Sequence, residues 1–109
     1  MGDTDAARTV ELCRTEEVPE GAGITVRAAD RDFAVFRADG EYWAIDNMCT
    51  HEGGPLGEGT LLGTTITCPW HYAAFDITTG ESLDPIAPCG VDTYDVYVED
   101  GVIYAELED

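Results

Sequence analysis

The sequence predicts an all-β protein built from short antiparallel strands. Short runs rich in β-branched and aromatic residues alternate with turns that contain glycine. Two of these turns are Asp-Gly pairs between strand-like segments, and no segment has a sustained helical period of 3.6 residues. The length of 109 residues fits one domain, and the hydrophobic content of 44% suffices for one modest core. We therefore expect residues 1–109 to form a single domain.

The predicted strands follow one another along the chain with only short turns between them. One hairpin turns at Asp39-Gly40 and the clearest one at Asp100-Gly101, because such dipeptides adopt type I′ turns. The β-rich runs are Val10–Arg14, Ile24–Ala28, Phe33–Arg37, Glu41–Ile45, Thr64–Thr67, Ala74–Ile77, Tyr94–Val98 and Val102–Leu107. This succession favours a sandwich or a partial barrel.

Three segments break the strand pattern and are predicted to be loops. Residues 47–63 contain five glycines and one proline, a composition that a core strand does not tolerate. A second loop covers residues 68–71, and residues 84–88 form a third segment with two prolines. Long irregular loops in compact domains are usually functional, so we expect the chemistry of the protein to lie there.

The charge of the chain is its most unusual bulk property. Five arginines and no lysine stand against 23 acidic residues, which gives a net charge of −18. Such a chain repels nucleic acid and anionic lipid, whereas it attracts a partner protein with a basic face. The acidic, lysine-free composition also resembles that of proteins from salt-loving organisms. The two explanations are compatible.

The sequence favours a cytoplasmic location. No stretch approaches the roughly 20 apolar residues that a membrane-spanning helix needs. The first five residues are acidic and lack the basic and apolar regions of an export signal. A disulfide between Cys13 and Cys89 is therefore not expected, and both are predicted to pack as small apolar residues.

Two matched cysteine–histidine pairs carry the candidate chemistry. Both histidines of the chain lie within three residues of a cysteine, in the patterns Cys49-x-His51 and Cys68-x-x-His71. Sixteen residues separate the two pairs, and each pair lies in a loop that contains glycine or proline. Two thiolates and two imidazoles suit either a tetrahedral zinc ion or an iron–sulfur centre with mixed ligands.

The motifs around these pairs resemble the Rieske family. The matching residues are Cys49-Thr50-His51, Gly54-Pro55-Leu56, Cys68-Pro69-Trp70-His71, Phe75-Asp76 and Thr79-Gly80. The resemblance implies an antiparallel β-sandwich with a small cluster-binding subdomain of two loops, at about residues 46–88, and a [2Fe–2S] cluster. In that arrangement the ligands are Cys49 and Cys68 on the inner iron and His51 and His71 on the outer iron. The segment 84–88 would close over the cluster.

Several positions place the chain in the low-potential, oxygenase-associated branch of that family. The high-potential branch has a disulfide between its two loops, and the corresponding positions here are Gly54 and Trp70. That branch also has hydroxyl donors near the cluster sulfurs, where this chain has Ala73 and Phe75. With fewer hydrogen-bond donors the reduced cluster is less stabilised, so we expect a lower reduction potential, of about −150 mV. Tyr72 replaces the glycine that usually follows the second histidine, so its backbone must avoid the left-handed region or tolerate strain.

The sequence thus predicts a soluble one-electron carrier, a Rieske ferredoxin that takes electrons from a reductase and passes them to an oxygenase or similar acceptor. We expect both partners to dock through basic faces. An oxygenase itself is excluded, because no further histidine is present to hold a catalytic iron. Two alternatives stay open. One is the small Rieske-like subunit of an assimilatory nitrite reductase, and the other is a zinc-stabilised binding module, which would be colourless.

Overall fold

The computed structural model describes residues 7–48, 54–70, 72–83 and 89–108, and within these ranges the chain is mostly strand. The strands are β1 Ala7–Arg14, β2 Ala22–Ala28, β3 Arg31–Ala38, β4 Glu41–Asp46, β5 Thr60–Leu62, β6 Thr65–Thr67, β7 Ala74–Asp76, β8 Thr93–Glu99 and β9 Val102–Glu108. Two 3-10 helices, Thr15–Glu17 and Leu56–Glu58, are the only helices in these ranges, where no helix could cross a lipid bilayer. The predicted all-β class is confirmed.

The strands form two antiparallel sheets. The larger sheet has six strands in the order β1-β9-β8-β4-β3-β2, and the smaller one has three in the order β5-β6-β7. In the larger sheet β2, β3 and β4 pair in sequence, and β8 then joins β4 to β9. The smaller sheet carries the second candidate ligand loop between β6 and β7, so its strands determine where that loop leaves the core.

Tight turns set the register of the larger sheet. Asp39 and Gly40 have φ values of 55° and 76°, and Asp100 and Gly101 have values of 53° and 78°. Positive φ at both central residues is typical of the type I′ turn, whose twist matches that of the flanking strands. The two predicted Asp-Gly hairpins are confirmed by the pairing of β3 with β4 and of β8 with β9.

Strand β3 is buried on both faces and separates two core clusters. Alternate residues of a strand face opposite sides, so Ala34 and Phe36 join one cluster whereas Phe33 and Val35 join the other. The first cluster also contains Ile45, Leu56, Leu61, Ile66, Cys68, Ala73, Phe75 and Ile77. The second contains Leu12, Cys13, Val18, Ala44, Ile103, Ala105 and Leu107. Cys68 is therefore part of the apolar core that joins the two sheets.

The loop predicted over residues 47–63 is only partly irregular. Its second half contains the 3-10 helix Leu56–Glu58 and strand β5. Leu61, at the centre of β5, is buried and pairs with Ile66 of β6. A three-residue strand between glycines has no periodicity that a sequence could reveal, so composition alone predicts a loop there.

The two cysteines outside the motifs differ in environment. Cys13 is buried in the second core cluster, as predicted, and burial raises the pKa of its thiol to about 11, with a further contribution from the charge of Glu17. Cys89 is exposed, so the prediction that it packs as an apolar residue is wrong. It lies before β8 in a segment without regular structure, and not in a strand that turns alternate side chains towards the core.

Candidate metal centre

Asn47 anchors the base of the first candidate ligand loop. It is the only buried polar residue in the described part of the chain. Its side-chain oxygen Oδ1 accepts hydrogen bonds from the Gly57 amide at 2.7 Å and from the Thr25 hydroxyl at 3.2 Å. Its carbonyl accepts a bond from the Leu56 amide at 2.7 Å, and its own amide donates to the Asp32 carbonyl at 3.1 Å. One residue thus ties the end of β4 to β2, to β3 and to the 3-10 helix after the loop.

The two ends of the first loop meet next to this anchor. Met48 and Pro55 form an isolated antiparallel bridge, and residues 49–54 lie between them in the sequence. The predicted ligands Cys49 and His51 fall in that interval, outside the described residues. The bridge and the bonds of Asn47 therefore fix both ends of the segment that carries the first predicted ligand pair.

The second ligand loop is closed in a similar way where β6 ends and β7 begins. The Cys68 amide donates a hydrogen bond to the Ala73 carbonyl at 2.8 Å, across residues 69–72. Cys68 is only 2% exposed and Ala73 is fully buried. The predicted ligand His71 lies outside the described residues. Cys68 therefore holds its sulfur at the base of the loop, in contact with the core.

The two loops approach each other at Gly54. A Cβ atom built on Gly54 would lie 2.5 Å from Sγ of Cys68 and 3.1 Å from Cγ and Cδ2 of Trp70. A larger side chain would therefore displace the sulfur and press against the indole ring. Gly54 and Trp70 occupy the positions of the disulfide expected only in the high-potential branch, and this distance shows that the two positions face each other.

The backbone of Tyr72 is left-handed, with a φ of 63°. The sequence left open whether this backbone avoids the left-handed region or tolerates its strain, and the structure shows that it tolerates the strain. This conformation directly precedes Ala73, whose carbonyl closes the loop onto the Cys68 amide. An aromatic residue in this region is an outlier, because glycine or asparagine adopts it at lower cost. The side chain of Tyr72 is 74% exposed.

The residues that share the core cluster of Cys68 are apolar. Ala73 and Phe75, at the positions where the high-potential branch is expected to have hydroxyl donors, are fully buried in that cluster. Neither side chain has an O–H group to donate to a sulfur atom. An apolar environment without such donors disfavours additional negative charge.

Backbone hydrogen bonds hold both flanks of the third predicted loop. The Leu83 amide donates to the Ala74 carbonyl at 2.8 Å, and the Val91 amide donates to the Gly80 carbonyl at 2.8 Å. The segment 84–88, with the two prolines expected to close over the site, lies outside the described residues. Its flanks are therefore held beside β7 and the turn that follows this strand.

A side-chain network stiffens the end of β4, from which the first ligand loop leaves. The Tyr94 hydroxyl donates to Asp46 Oδ1 at 2.5 Å and accepts a bond from the Arg31 guanidinium at 3.1 Å. Burial, followed by the hydrogen bond to Asp46, raises the pKa of Tyr94 to about 12, while Arg31 acts in the opposite direction. The ring of Tyr94 packs edge-on against Phe33, with 5.0 Å between centroids. The hydroxyl thus stays protonated and links strands β3, β4 and β8.

The described residues contain part of the predicted ligand set. Cys68 is described, whereas Cys49, His51 and His71 are not, and the described ranges contain no group of three metal-binding side chains. A thiol at the edge of the apolar core, directed at the facing loop, fits a cluster held between two loops. The sequence did not identify Asn47 as an anchor. Its only signal was a polar residue between a strand and a glycine-rich loop.

Comparison with known proteins identifies the family. A model described as the Rieske [2Fe-2S] domain matches residues 8–95. The chain belongs to this family, and its cofactor is a Rieske-type [2Fe–2S] cluster.

Several of the similar proteins are ferredoxins. The ferredoxin component of the naphthalene 1,2-dioxygenase/salicylate 5-hydroxylase systems of Ralstonia sp is 32% identical, over 91% of this chain and 95% of that protein. The 3-phenylpropionate/cinnamic acid dioxygenase ferredoxin subunit of Photorhabdus laumondii is 37% identical, over 90% of this chain and 93% of that protein. Among solved structures, the Sphingomonas yanoikuyae B1 ferredoxin has a TM-score of 0.83 and 35% identity, and the match covers 92% of this chain and 99% of that chain.

Proposed function

We propose that this chain is a ferredoxin that carries single electrons from a reductase to an oxygenase or a similar acceptor. The proposal rests on the approach of the two loops at Gly54, which places the sulfur of Cys68 against the facing loop. Support comes from relatives that are named as ferredoxin components of dioxygenase systems and are matched over nearly their full length. The chain acts as a single Rieske domain, with its cluster-binding part at about residues 46–88, and is not itself an enzyme.

The four ligands proposed for the cluster are Cys49 and Cys68 on the inner iron and His51 and His71 on the outer iron. Burial supports this division, because Cys68 lies in the core while Trp70 and Tyr72, on either side of His71 in the sequence, are 52% and 74% exposed. When bound, the cluster supplies one-electron redox chemistry, and two neutral imidazoles raise its potential above that of an all-cysteine cluster.

The protein's own contribution is to hold the two loops in place and keep water from the inner side of the site. Asn47 fixes the first loop, and the bond between Cys68 and Ala73 closes the second. Phe75 and Leu56, both fully buried, cover the core side of Cys68. Groups that are already in place need little rearrangement when charge changes nearby, which favours rapid electron transfer.

The reduction potential of this carrier is expected at the low end of the Rieske range, about −150 mV. The supporting observation is that Ala73 and Phe75 are buried beside Cys68 and have no hydroxyl. Without those donors the extra negative charge of the reduced state is stabilised less, and reduction is harder.

The acidic surface is proposed to be an adaptation to high salt in the cytoplasm of a halophilic cell. Three ion pairs occur among the described residues: Arg14–Glu16, Arg27–Asp32 and Arg37–Glu20. All of their side chains are substantially exposed, so each pair contributes about 0–1 kcal/mol and offsets little of the repulsion among the acidic residues. A cytoplasmic location is supported by the thiol of Cys13, which is buried in the second core cluster and forms no disulfide with the other described cysteines, Cys68 and Cys89.

Elemental analysis and spectroscopy of the purified protein test the proposed function. The expected result is two irons and two inorganic sulfides per chain, a red-brown colour and the electron paramagnetic resonance signal of a reduced Rieske cluster. One zinc ion and no iron would refute it. Co-purification with a large sirohaem protein would instead favour the nitrite reductase subunit.

Two histidine variants test the ligand assignment separately. His51→Ala and His71→Ala should each lose the cluster or change its visible spectrum, because each removes one ligand of the outer iron. Cys89→Ala is the matched control, since Cys89 lies outside both motifs and is exposed. Normal spectra in both histidine variants would show that the ligands are wrong even if the cluster is present.

A further inference from the structure

Seventeen consecutive residues of this acidic chain carry no charged side chain. They are residues 59–75 and include the second ligand loop, although 26% of all residues in the chain are charged. Burial explains only some of this run, because residues 69, 70 and 72, in the second candidate loop, are exposed. An exposed surface without charge in a chain of net charge −18 indicates a surface that is kept neutral for contact.

Two large aromatic side chains stand on this neutral surface. Trp70 is 52% exposed and Tyr72 is 74% exposed, and His71 lies between them in the sequence. Aromatic residues are enriched at the centres of protein interfaces, because each buries a large area and loses little conformational freedom. Their exposure therefore indicates a contact surface beside the proposed outer iron ligand.

Loop geometry does not account for the choice of tyrosine at position 72. Closing the loop onto Cys68 needs a left-handed residue there, and the φ of Tyr72 is 63°. Glycine would form the same turn with less strain, and the exposed ring gains little from the rest of the chain. Strained residues in folded proteins cluster at functional sites, where the strain is offset by another role.

We propose that Tyr72, together with Trp70, forms the contact through which a redox partner protein docks, and that tyrosine is retained at its strained position for this contact. This inference rests on the proposed function. The partner is a protein with an apolar recess for the two rings and basic residues around it. Glu58 is exposed in the 3-10 helix Leu56–Glu58, which directly precedes β5, and would meet that basic rim. A second copy of this chain fits poorly, because two chains of net charge −18 repel each other.

The test compares Tyr72→Gly with the wild-type protein as electron donors to two acceptors. The protein is first reduced chemically. It then gives one electron either to the ferric haem of cytochrome c, which is a basic protein, or to a small neutral quinone. The variant should reduce cytochrome c more slowly by about fivefold, the loss typical of an interface residue, and should reduce the quinone at the wild-type rate. Its melting temperature should rise by about 4 °C, because the left-handed strain is relieved.

Matched controls separate docking from folding. Leu62 is as exposed as Tyr72, at 74%, and lies at the end of β5 that is remote from Cys68. Leu62→Thr should therefore leave the rates with cytochrome c and with the quinone unchanged. Tyr72→Phe keeps the ring and should retain the wild-type rate with cytochrome c.

Equal cytochrome c rates for wild type and Tyr72→Gly would overturn the docking role of Tyr72. A wild-type dimer that Tyr72→Gly converts to a monomer would also overturn it, in favour of self-association. Absence of iron from the wild-type protein would instead reject the proposed function.

Discussion

Replacing Gly54 by alanine tests whether the two loops depend on their close approach. The added Cβ would lie 2.5 Å from Cys68 Sγ, about 1 Å closer than an ordinary contact of 3.5–4.0 Å. The φ of Gly54 is not positive, so alanine brings no backbone strain at this position and the steric contact is the only cost. Overpacking of this kind costs about 2 kcal/mol, which lowers the melting temperature of a domain of this size by about 10 °C. The sulfur of Cys68 must move, so the cluster should also be lost or its spectrum changed.

Gly63→Ala is the matched control for this experiment. Gly63 has a φ of 62° and no atom within 4 Å of a built Cβ, so alanine there adds strain without a steric contact. It should lower the melting temperature by about 4 °C and leave the iron content and visible spectrum unchanged. Measuring iron, sulfide and thermal unfolding for both variants separates the two effects. A Gly54→Ala protein with wild-type iron content and melting temperature would refute the argument from loop packing.

Four further predictions concern the potential, the anchor, pH and salt. Phe75→Tyr should raise the potential by about 60 mV if its hydroxyl reaches a cluster sulfur, since a hydrogen bond to a charged group contributes about 1.5 kcal/mol; an unchanged value in voltammetry would contradict this. Asn47→Ala should cost about 1–3 kcal/mol in denaturant unfolding, because the Gly57 amide loses its acceptor, whereas Asn47→Asp should cost less. Folding raises the pKa of Cys13 from 9.0 to about 11 and that of Tyr94 from 10.0 to about 12. The free energy of unfolding should therefore be highest below about pH 9, where both groups are protonated in the folded and the unfolded state, and should fall as the pH rises towards 12. Cys13→Ala should move the start of this fall to higher pH. The melting temperature should rise from low salt to about 2 M potassium chloride as the acidic residues are screened, and a flat profile would remove the halophilic explanation.

Local signals in the sequence predicted the parts of the fold that depend on turns and strand composition. The dipeptides at Asp39 and Asp100 determine φ locally, so both hairpins could be recognised without tertiary information. Strand β5 could not, because its three residues are held by pairing with β6 and by the burial of Leu61. The exposure of Cys89 depends equally on distant neighbours, which composition does not reveal.

The candidate site shows the same division. The spacing of the cysteine–histidine pairs and the absence of hydroxyls at Ala73 and Phe75 can be read directly from the sequence. The role of Asn47 depends on Gly57 and Thr25, which approach it only in the folded chain. The sequence posed the alternatives for Tyr72 but could not decide between them, because the outcome depends on the hydrogen bond that closes the loop.

The way in which the loop bases are closed has a consequence for how this protein could change over time. Main-chain bonds close both loops, from the Cys68 amide to the Ala73 carbonyl and from the Leu56 amide to the Asn47 carbonyl. Such bonds do not depend on which side chains occupy the tip between them. Exposed tip residues other than the proposed cluster ligands, such as Trp70 and Tyr72, can therefore be exchanged, by evolution or by grafting from a relative, while the frame beneath them stays intact. A new redox partner could be acquired by substitutions at the tip alone.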